Sequence, residues 1–179
     1  FANQSMPVFA AVSINRILDE TLAFAEYLKK GKDGIVIERL YYKKDVELFA
    51  DCELLKQAFL NIAANAIQSM DGNGRLTIDT DLLGKQAIGN GQWVIGKTNN
   101  PSPIAHYLKI SFSDAGSGIP DEVIDRIFDP FFTTKERGTG LGLAIVNNII
   151  KAHEGIIEVE SKLGVGTRID IILPLARRG

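Results

Sequence analysis

At 179 residues the chain is long enough for one well-buried α/β domain and barely long enough for two. Its 45% hydrophobic and 23% charged residues are those of an ordinary globular domain, and a net charge of −2 supplies no basic footprint for nucleic acid. The single cysteine, Cys52, excludes an internal disulfide and a zinc cluster and fits a reducing compartment, and no apolar run approaches a membrane span.

Residues 1–12 are small, polar and interrupted by Pro7, and read as a connector. No signal-peptide pattern opens the chain. It begins at Phe1 rather than methionine, as a fragment of a longer parent would, which leaves a membrane segment in that parent open. Ile14, Ile17, Leu18, Thr21, Leu22, Ala25 and Leu28 then recur at helical spacing, with Gly31 as the stop. Residues 35–40 and 46–49 read as two strands around a charged turn. Asp51 is placed to cap a long helix over residues 52–70, with a core stripe of Leu54, Leu55, Ala58, Phe59, Ile62, Ala66 and Met70.

A second stripe on that helix carries Gln57, Asn61, Asn65 and Gln68. Asparagine is a mediocre helix former because its side chain competes for the backbone. Asn61 and Asn65 nevertheless stand one turn apart among small and apolar neighbours, where a merely solvated face would be polar. Their carbonyl oxygens are hard ligands, suited to Mg²⁺ held jointly with phosphates.

Residues 71–74 read as a turn and 75–81 as a strand. Residues 83–106 are rich in Gly, Asn and Pro, with 92–95 as a short strand in an elaborated surface connection. Within it residues 91–98 match G-x-x-x-x-G-K-T letter for letter. A P-loop requires a buried strand before it and a helix directly after, and Pro101 and Pro103 oppose that helix, so the match is read as chance.

Leu108, Ile110 and Phe112 alternate with Lys109, Ser111 and Ser113 as a strand, which breaks into Asp114-Ala115-Gly116-Ser117-Gly118-Ile119-Pro120. Farther on, Gly138-Thr139-Gly140-Leu141-Gly142 runs directly into an apolar helical pattern over residues 141–153 that closes at Gly155. Glycines at a helix start leave N–H groups uncovered, and the helix dipole adds positive potential there, so a phosphate can dock. Two last strands, 156–161 and 167–173, flank residues 162–166.

In order, Asn61-x-x-x-Asn65-Ala66, Asp114-x-Gly116-x-Gly118, Phe128-Asp-Pro-Phe131-Phe132-Thr-Thr-Lys135, Gly138-Thr-Gly140-Leu-Gly142 and Gly164-Val-Gly166-Thr167 resemble five sequence boxes. These are the N, G1, F, G2 and G3 boxes of the catalytic ATP-binding domain of sensor histidine kinases, in the superfamily of gyrase B, MutL and the related chaperones. The resemblance spans about residues 13–175, and the short lid is similar to that of the nitrogen-regulator branch. It implies an α+β fold, a two-layer α/β sandwich of the Bergerat ATP-binding type with a mixed sheet covered on one face by three helices. Residues 1–12 would be the linker or remnant of a preceding dimerisation hairpin, and 13–179 the catalytic domain.

The resemblance further implies roles. Asp114 hydrogen-bonds the adenine amino group, and Gly116 and Gly118, with Ile119 beside them, let the base approach the backbone. Asn65 is the Mg²⁺ ligand, with Asn61 beside the phosphates. Gly138, Thr139, Gly140, Leu141 and Gly142 line the triphosphate, and Thr167 supports the adenine side. Phe128 opens a lid over residues 128–139 in which Lys135 or Arg137 meets the γ-phosphate, so Asn61 and Lys135 form the catalytic set. One departure stands out: many members carry a basic residue and then an aromatic where this chain has Gln68 and Ser69.

The expected cofactors are therefore ATP and Mg²⁺. The expected partners are a dimerisation hairpin bearing the acceptor histidine and, downstream, a response regulator. No nucleic-acid or membrane contact by this domain is expected, and cytoplasmic placement, a monomeric fragment and a homodimeric parent are. Gyrase-like hydrolases resemble this helix but carry Glu where Asn61 stands; an amide takes up no proton at neutral pH, so a histidine acceptor fits better than water. Family acceptors lie on a separate hairpin, and neither His106 nor His153 resembles one. The chain is accordingly expected to bind Mg-ATP without autophosphorylating. A stand-alone serine kinase of the anti-sigma type and a non-enzymatic nucleotide-gated module are the alternatives.

Overall fold

The computed structural model describes residues 7–88, 92–96, 107–135 and 138–175. Strand β1 (Ala10–Ser13) leads into helix α1 (Ile14–Leu28), followed by β2 (Gly34–Leu40), β3 (Glu47–Ala50), helix α2 (Cys52–Ser69), β4 (Asn73–Ile88), β5 (Gln92–Gly96) and β6 (Tyr107–Asp114). A 3-10 turn (Asp121–Arg126), helix α3 (Gly142–Ala152), β7 (Ile156–Lys162) and β8 (Gly166–Pro174) complete the order. The main sheet runs β2-β4-β6-β8-β7, with β5 paired to the far end of β4. Only the β2–β4 pair is parallel among its described strands; β4–β6, β6–β8 and β7–β8 are antiparallel, which makes the sheet mixed.

One face of that sheet is the core. Leu108, Ile110 and Phe112 of β6 point inward beside Ile169, Ile171 and Leu173 of β8. The helices close over them with Ile17, Leu18 and Leu22 of α1, Leu55, Phe59 and Ile62 of α2, and Val146, Ile149 and Ile150 of α3. Phe59 and Phe112 meet across the layers at 5.7 Å between ring centroids, a tilted pair. The two-layer α+β sandwich is the expected one. On the opposite face charge pairing replaces helices: Lys109 Nζ lies 3.2 Å from Asp170 Oδ2, and Arg168 Nε lies 2.9 Å from Asp170 Oδ1. Burial alone would raise the Asp170 carboxyl, but the Ser111 hydroxyl, Arg168 and Lys109 hold it below the usual carboxylate range.

Three departures from the sequence reading have physical reasons. The strands at 35–40 and 46–49 do not face each other across their charged turn. β2 runs parallel to β4, while β3 pairs antiparallel with β1 in a separate two-stranded sheet. The segment read as a connector thus ends in a strand, Ala10–Ser13, whose Ala-Ala-Val-Ser carries too little alternation to announce itself. Third, β4 is sixteen residues long and turns back through β5, with Gly84 opposite Gly96 and Ile88 opposite Gln92. Residues 92–96 of the P-loop-like stretch therefore spend their backbone on a strand ladder, and Gly91, Lys97 and Thr98 lie outside the described residues. So does His106.

Candidate functional site: a cleft between two helices and the end of a central strand

Three helices begin in three ways. Ser13 caps α1 through a bond from Arg16 N, and Asp51 caps α2 through bonds from Glu53 N and Leu54 N. Helix α3 has no side-chain cap; Leu141 stands at its start, and the chain before it is Gly138-Thr139-Gly140. Its first N–H groups are left facing a cleft of about 660 Å³, within the range of cofactor pockets.

Across from them lie the carboxamides of α2. A Cβ placed on Gly142 would stand 3.8 Å from both Asn61 Oδ1 and Asn65 Nδ2, so the two asparagines and the open helix end share one wall-to-wall space. Gly140 has φ +67, and a side chain there would run into the Phe131 backbone, whose N–H donates to Gly140 O at 2.9 Å. Glycine is obligatory at that position. Phe131 itself adopts φ 67, a left-handed conformation for a bulky residue, and is 75% exposed.

Asp114 closes the other end of the cleft. Its Oδ1 accepts from Gly116 N at 2.8 Å and from Ser69 Oγ at 3.2 Å. Desolvation raises its carboxyl above the usual range against the opposing pull of the Gly116 and Thr167 backbone N–H groups, the Ser69 hydroxyl and the Lys135 charge. Ser161 Oγ lies 2.8 Å from Thr167 Oγ1 and accepts from Ile119 N at 2.8 Å, tying β7, β8 and the loop after Asp114 together. Gly118, at φ +70, presses against the Lys162 carbonyl, so this loop too is built on glycine. Apolar Val123, Ile127 and Phe132 line the cleft, and the Arg126 guanidinium lies 4.6 Å over the Phe132 ring.

The stretch after Phe128 returns over the cleft mouth. Thr133 Oγ1 accepts from Lys135 N at 3.1 Å, and Gly138 N donates to Lys135 O at 3.1 Å. The Lys135 ammonium donates to Gln68 Oε1 at 2.8 Å and to Asn65 Oδ1 at 3.2 Å. Desolvation first, then the charge of Lys32, pulls that ammonium below the usual lysine range, opposed by Asp114.

Of the residues singled out from sequence, Asn61, Asn65, Asp114, Gly118, Ile119, Lys135, Gly138, Thr139, Gly140, Gly142 and Thr167 meet on this one cleft. Gly116 serves it indirectly, by its bond to Asp114. Phe128 and Leu141 are not among the lining residues; Ile127 and Phe132 take the first position and Leu143 the second. Arg137 lies outside the described residues. Ser69, Val123 and Ile127 have no place in the sequence reading, because the 3-10 turn over Asp121–Arg126 that carries Val123 and leads into Ile127 has no clean period, while Phe132 belongs to the expected lid.

The geometry fits a nucleotide. An acceptor at a strand end suits an amino-bearing base, and an uncapped helix start suits phosphate. It also fits Mg²⁺, provided phosphates complete the shell. Asn65 Oδ1 is a hard oxygen that already accepts from a cation, while no group of three or more His, Cys, Asp and Glu occurs among the described residues to hold a metal alone. Fold and site together define a nucleotide-binding α/β sandwich.

Comparison with known proteins agrees. Residues 50–177 match the family described as histidine kinase-, DNA gyrase B- and HSP90-like ATPase. Sporulation kinase A of Bacillus subtilis is 33% identical over 163 residues, covering 91% of this chain and 23% of that protein. The signal transduction histidine-protein kinase AtoS of Escherichia coli is 37% identical over 171 residues, covering 94% and 24%. Among solved structures, the catalytic domain of histidine kinase ThkA superposes with a TM-score of 0.74 at 27% identity, covering 94% of this chain and 96% of that one. Full-length ShkA in complex with AMPPNP gives 0.73 at 26% identity, covering 99% and 33%. The chain belongs to the histidine kinase-, gyrase B- and HSP90-like ATPase family, and is an ATP-binding domain. It spans about a quarter of the length of these two kinases.

Proposed function

We propose that the chain is the catalytic domain of a two-component sensor histidine kinase, holding Mg-ATP for transfer of its γ-phosphoryl group to a histidine on a separate dimerisation hairpin. A response regulator would then take the phosphoryl group, and the residues before β1 would be the linker to the hairpin. The observation that carries this reading is the shared cleft. Asn61 and Asn65 face the uncapped start of α3 at one end, and Asp114 stands at the other.

Phosphoryl transfer asks a protein mainly for position and charge neutralisation. Asp114 accepts from the adenine amino group, and the glycines at 116 and 118 keep the loop low enough for the base to lie against it. The N–H groups at the start of α3 hold the phosphates. Asn65, with Asn61 beside it, would hold Mg²⁺, which supplies neutralisation of the phosphate oxygens when bound. Lys135 offers a second positive charge from the cleft mouth, and Thr167 steadies Asp114 through its backbone. Asn61 gives water no general base, which favours a nucleophile that attacks without first giving up a proton, such as a neutral imidazole. His153 is no acceptor: it is buried, with Nε2 accepting from Asp51 N at 3.0 Å and Nδ1 2.8 Å from Ile149 O.

Titration calorimetry with ATP and Mg²⁺ is expected to give saturable binding that Asp114→Asn weakens at least about tenfold. With γ-labelled ATP, label is expected to pass to an added acceptor hairpin in acid-labile form and not to this chain alone. Properly folded protein that binds no adenine nucleotide at millimolar concentration would refute the reading.

A further inference from the structure

We propose that Gln68 is a positioning residue for the cleft: its carboxamide oxygen fixes the Lys135 ammonium beside Asn65, at the phosphate end, so that the lysine distinguishes a nucleoside triphosphate from a diphosphate. This rests on the ATP-binding reading above, which supplies the ligand. Lys135 is far from α2 in sequence, yet its Nζ donates at 2.8 Å to Gln68 Oε1 and at 3.2 Å to Asn65 Oδ1. Gln68 and Asn65 lie three apart on α2, hence on one face, and their oxygens converge on the same ammonium.

The arrangement has a chemical logic. An ammonium offers three N–H donors on a flexible four-carbon stem, and left to itself samples many positions. Lys32 adds a repelling charge nearby, with its Nζ bound at 3.0 Å to the Ile67 and Met70 carbonyls at the end of α2. A neutral acceptor at 68 draws the lysine in without cancelling its charge, whereas a carboxylate there would neutralise it and a basic group would drive it off. Two donors are spent on α2 here; with Asn65 given to Mg²⁺ the shorter Gln68 bond remains, and the freed donors face the phosphate oxygens. The main chain around the lysine is held as well, by the Thr133 hydroxyl and the Gly138 N–H. Gln68 is exposed, and Gln and Ala are both good helix formers, so Gln68→Ala removes the oxygen without threatening the fold.

The test uses the full chain and two readouts. Endoproteinase Lys-C must take up the Lys135 side chain to cut after it. In the absence of nucleotide, cutting there is expected to run about threefold faster in Gln68→Ala, the size set by an exposed, charge-assisted bond. By calorimetry, the ratio of ATP to ADP affinity is expected to fall about three- to fivefold, with ADP affinity itself within about twofold. The exchange Gln68→Lys with Lys135→Gln, which keeps the pair and reverses its ends, is expected to recover most of that ratio. An unchanged cutting rate in Gln68→Ala would overturn the tether, and faster cutting with an unchanged ATP/ADP ratio would overturn the positioning role. Should the unaltered chain bind neither nucleotide, the ATP reading falls with the positioning role, while the cutting rate still decides whether the tether exists.

Discussion

Ser69 Oγ stands 3.2 Å from Asp114 Oδ1 and 2.8 Å from the carbonyl of Ala66, and its one proton serves one of them at a time. The last residue of α2 thereby reaches the acceptor at the end of β6, while Asn61 and Asn65 on the same helix face the start of α3. Ser69→Ala removes one of the bonds that oppose the burial-driven rise of the Asp114 carboxyl. Adenine-nucleotide affinity at pH 7 is expected to fall about three- to tenfold. The pH at which affinity is lost on acidification is expected to move upward, which calorimetry across a pH series measures.

Asp114 itself sets function against stability. Burial raises its folded-state value above the ordinary 3.8, so the folded protein binds that proton more readily than the unfolded chain does. The stability tied to it is complete below the unfolded value and is lost as pH rises through the folded one. Asp114→Asn is therefore expected to raise the melting temperature at pH 7 by a few degrees while cutting ATP affinity at least about tenfold. A variant that melted lower and bound as before would contradict both halves.

Asp51 has the opposite sign. Burial works to raise its carboxyl, but backbone N–H groups of Leu54, Val8 and Glu53, with His153 behind them, hold it below the ordinary 3.8. Its contribution is present above the unfolded value and is lost as pH falls through the lower folded one. Asp51→Ala is expected to destabilise the domain at pH 7 by about 1–2 kcal/mol, as loss of a helix cap does. Chemical denaturation from pH 7 downward is expected to show the gap closing in acid.

Much of this was legible from residue types and spacing. The apolar stripe of α1 and its boundaries, the Asp51 cap, and the pairing of Asn61 with Asn65 all rest on local periodicity and propensity, which a helix obeys over its own length. Strand partnership was less legible. Residues 34–40 and 47–50 sit near each other in sequence, and only the distant β4 and β1 determine where they go. Lys135 was suggested as a phosphate contact, but its bond to Gln68 joins residues that no local rule relates. The left-handed Phe131 was equally hidden, since its backbone partner Gly140 lies nine residues on and no local pattern marks it.

Gly140 and Gly142 are expected to behave differently despite their shared motif. At Gly140 a methyl group meets the Phe131 backbone and demands a left-handed φ, so Gly140→Ala is expected to lower the melting temperature and remove ATP binding together. At Gly142 the same methyl makes only ordinary contacts, 3.8 Å from the two asparagines. Gly142→Ala is expected to keep the wild-type fold, gain slightly in α3 stability, and weaken ATP by crowding the helix start, as thermal melting and calorimetry on both variants would show.

The bare first turn of α3 makes the domain a thermometer of its own occupancy. Where Ser13 and Asp51 satisfy the other two helices permanently, the third waits for an anion from outside the chain to do the same work. In the proposed binding mode, each nucleotide that arrives finishes a secondary-structure element as well as filling a space. Heat tolerance should therefore climb with the supply of triphosphate, by the logarithm of its concentration once the site saturates.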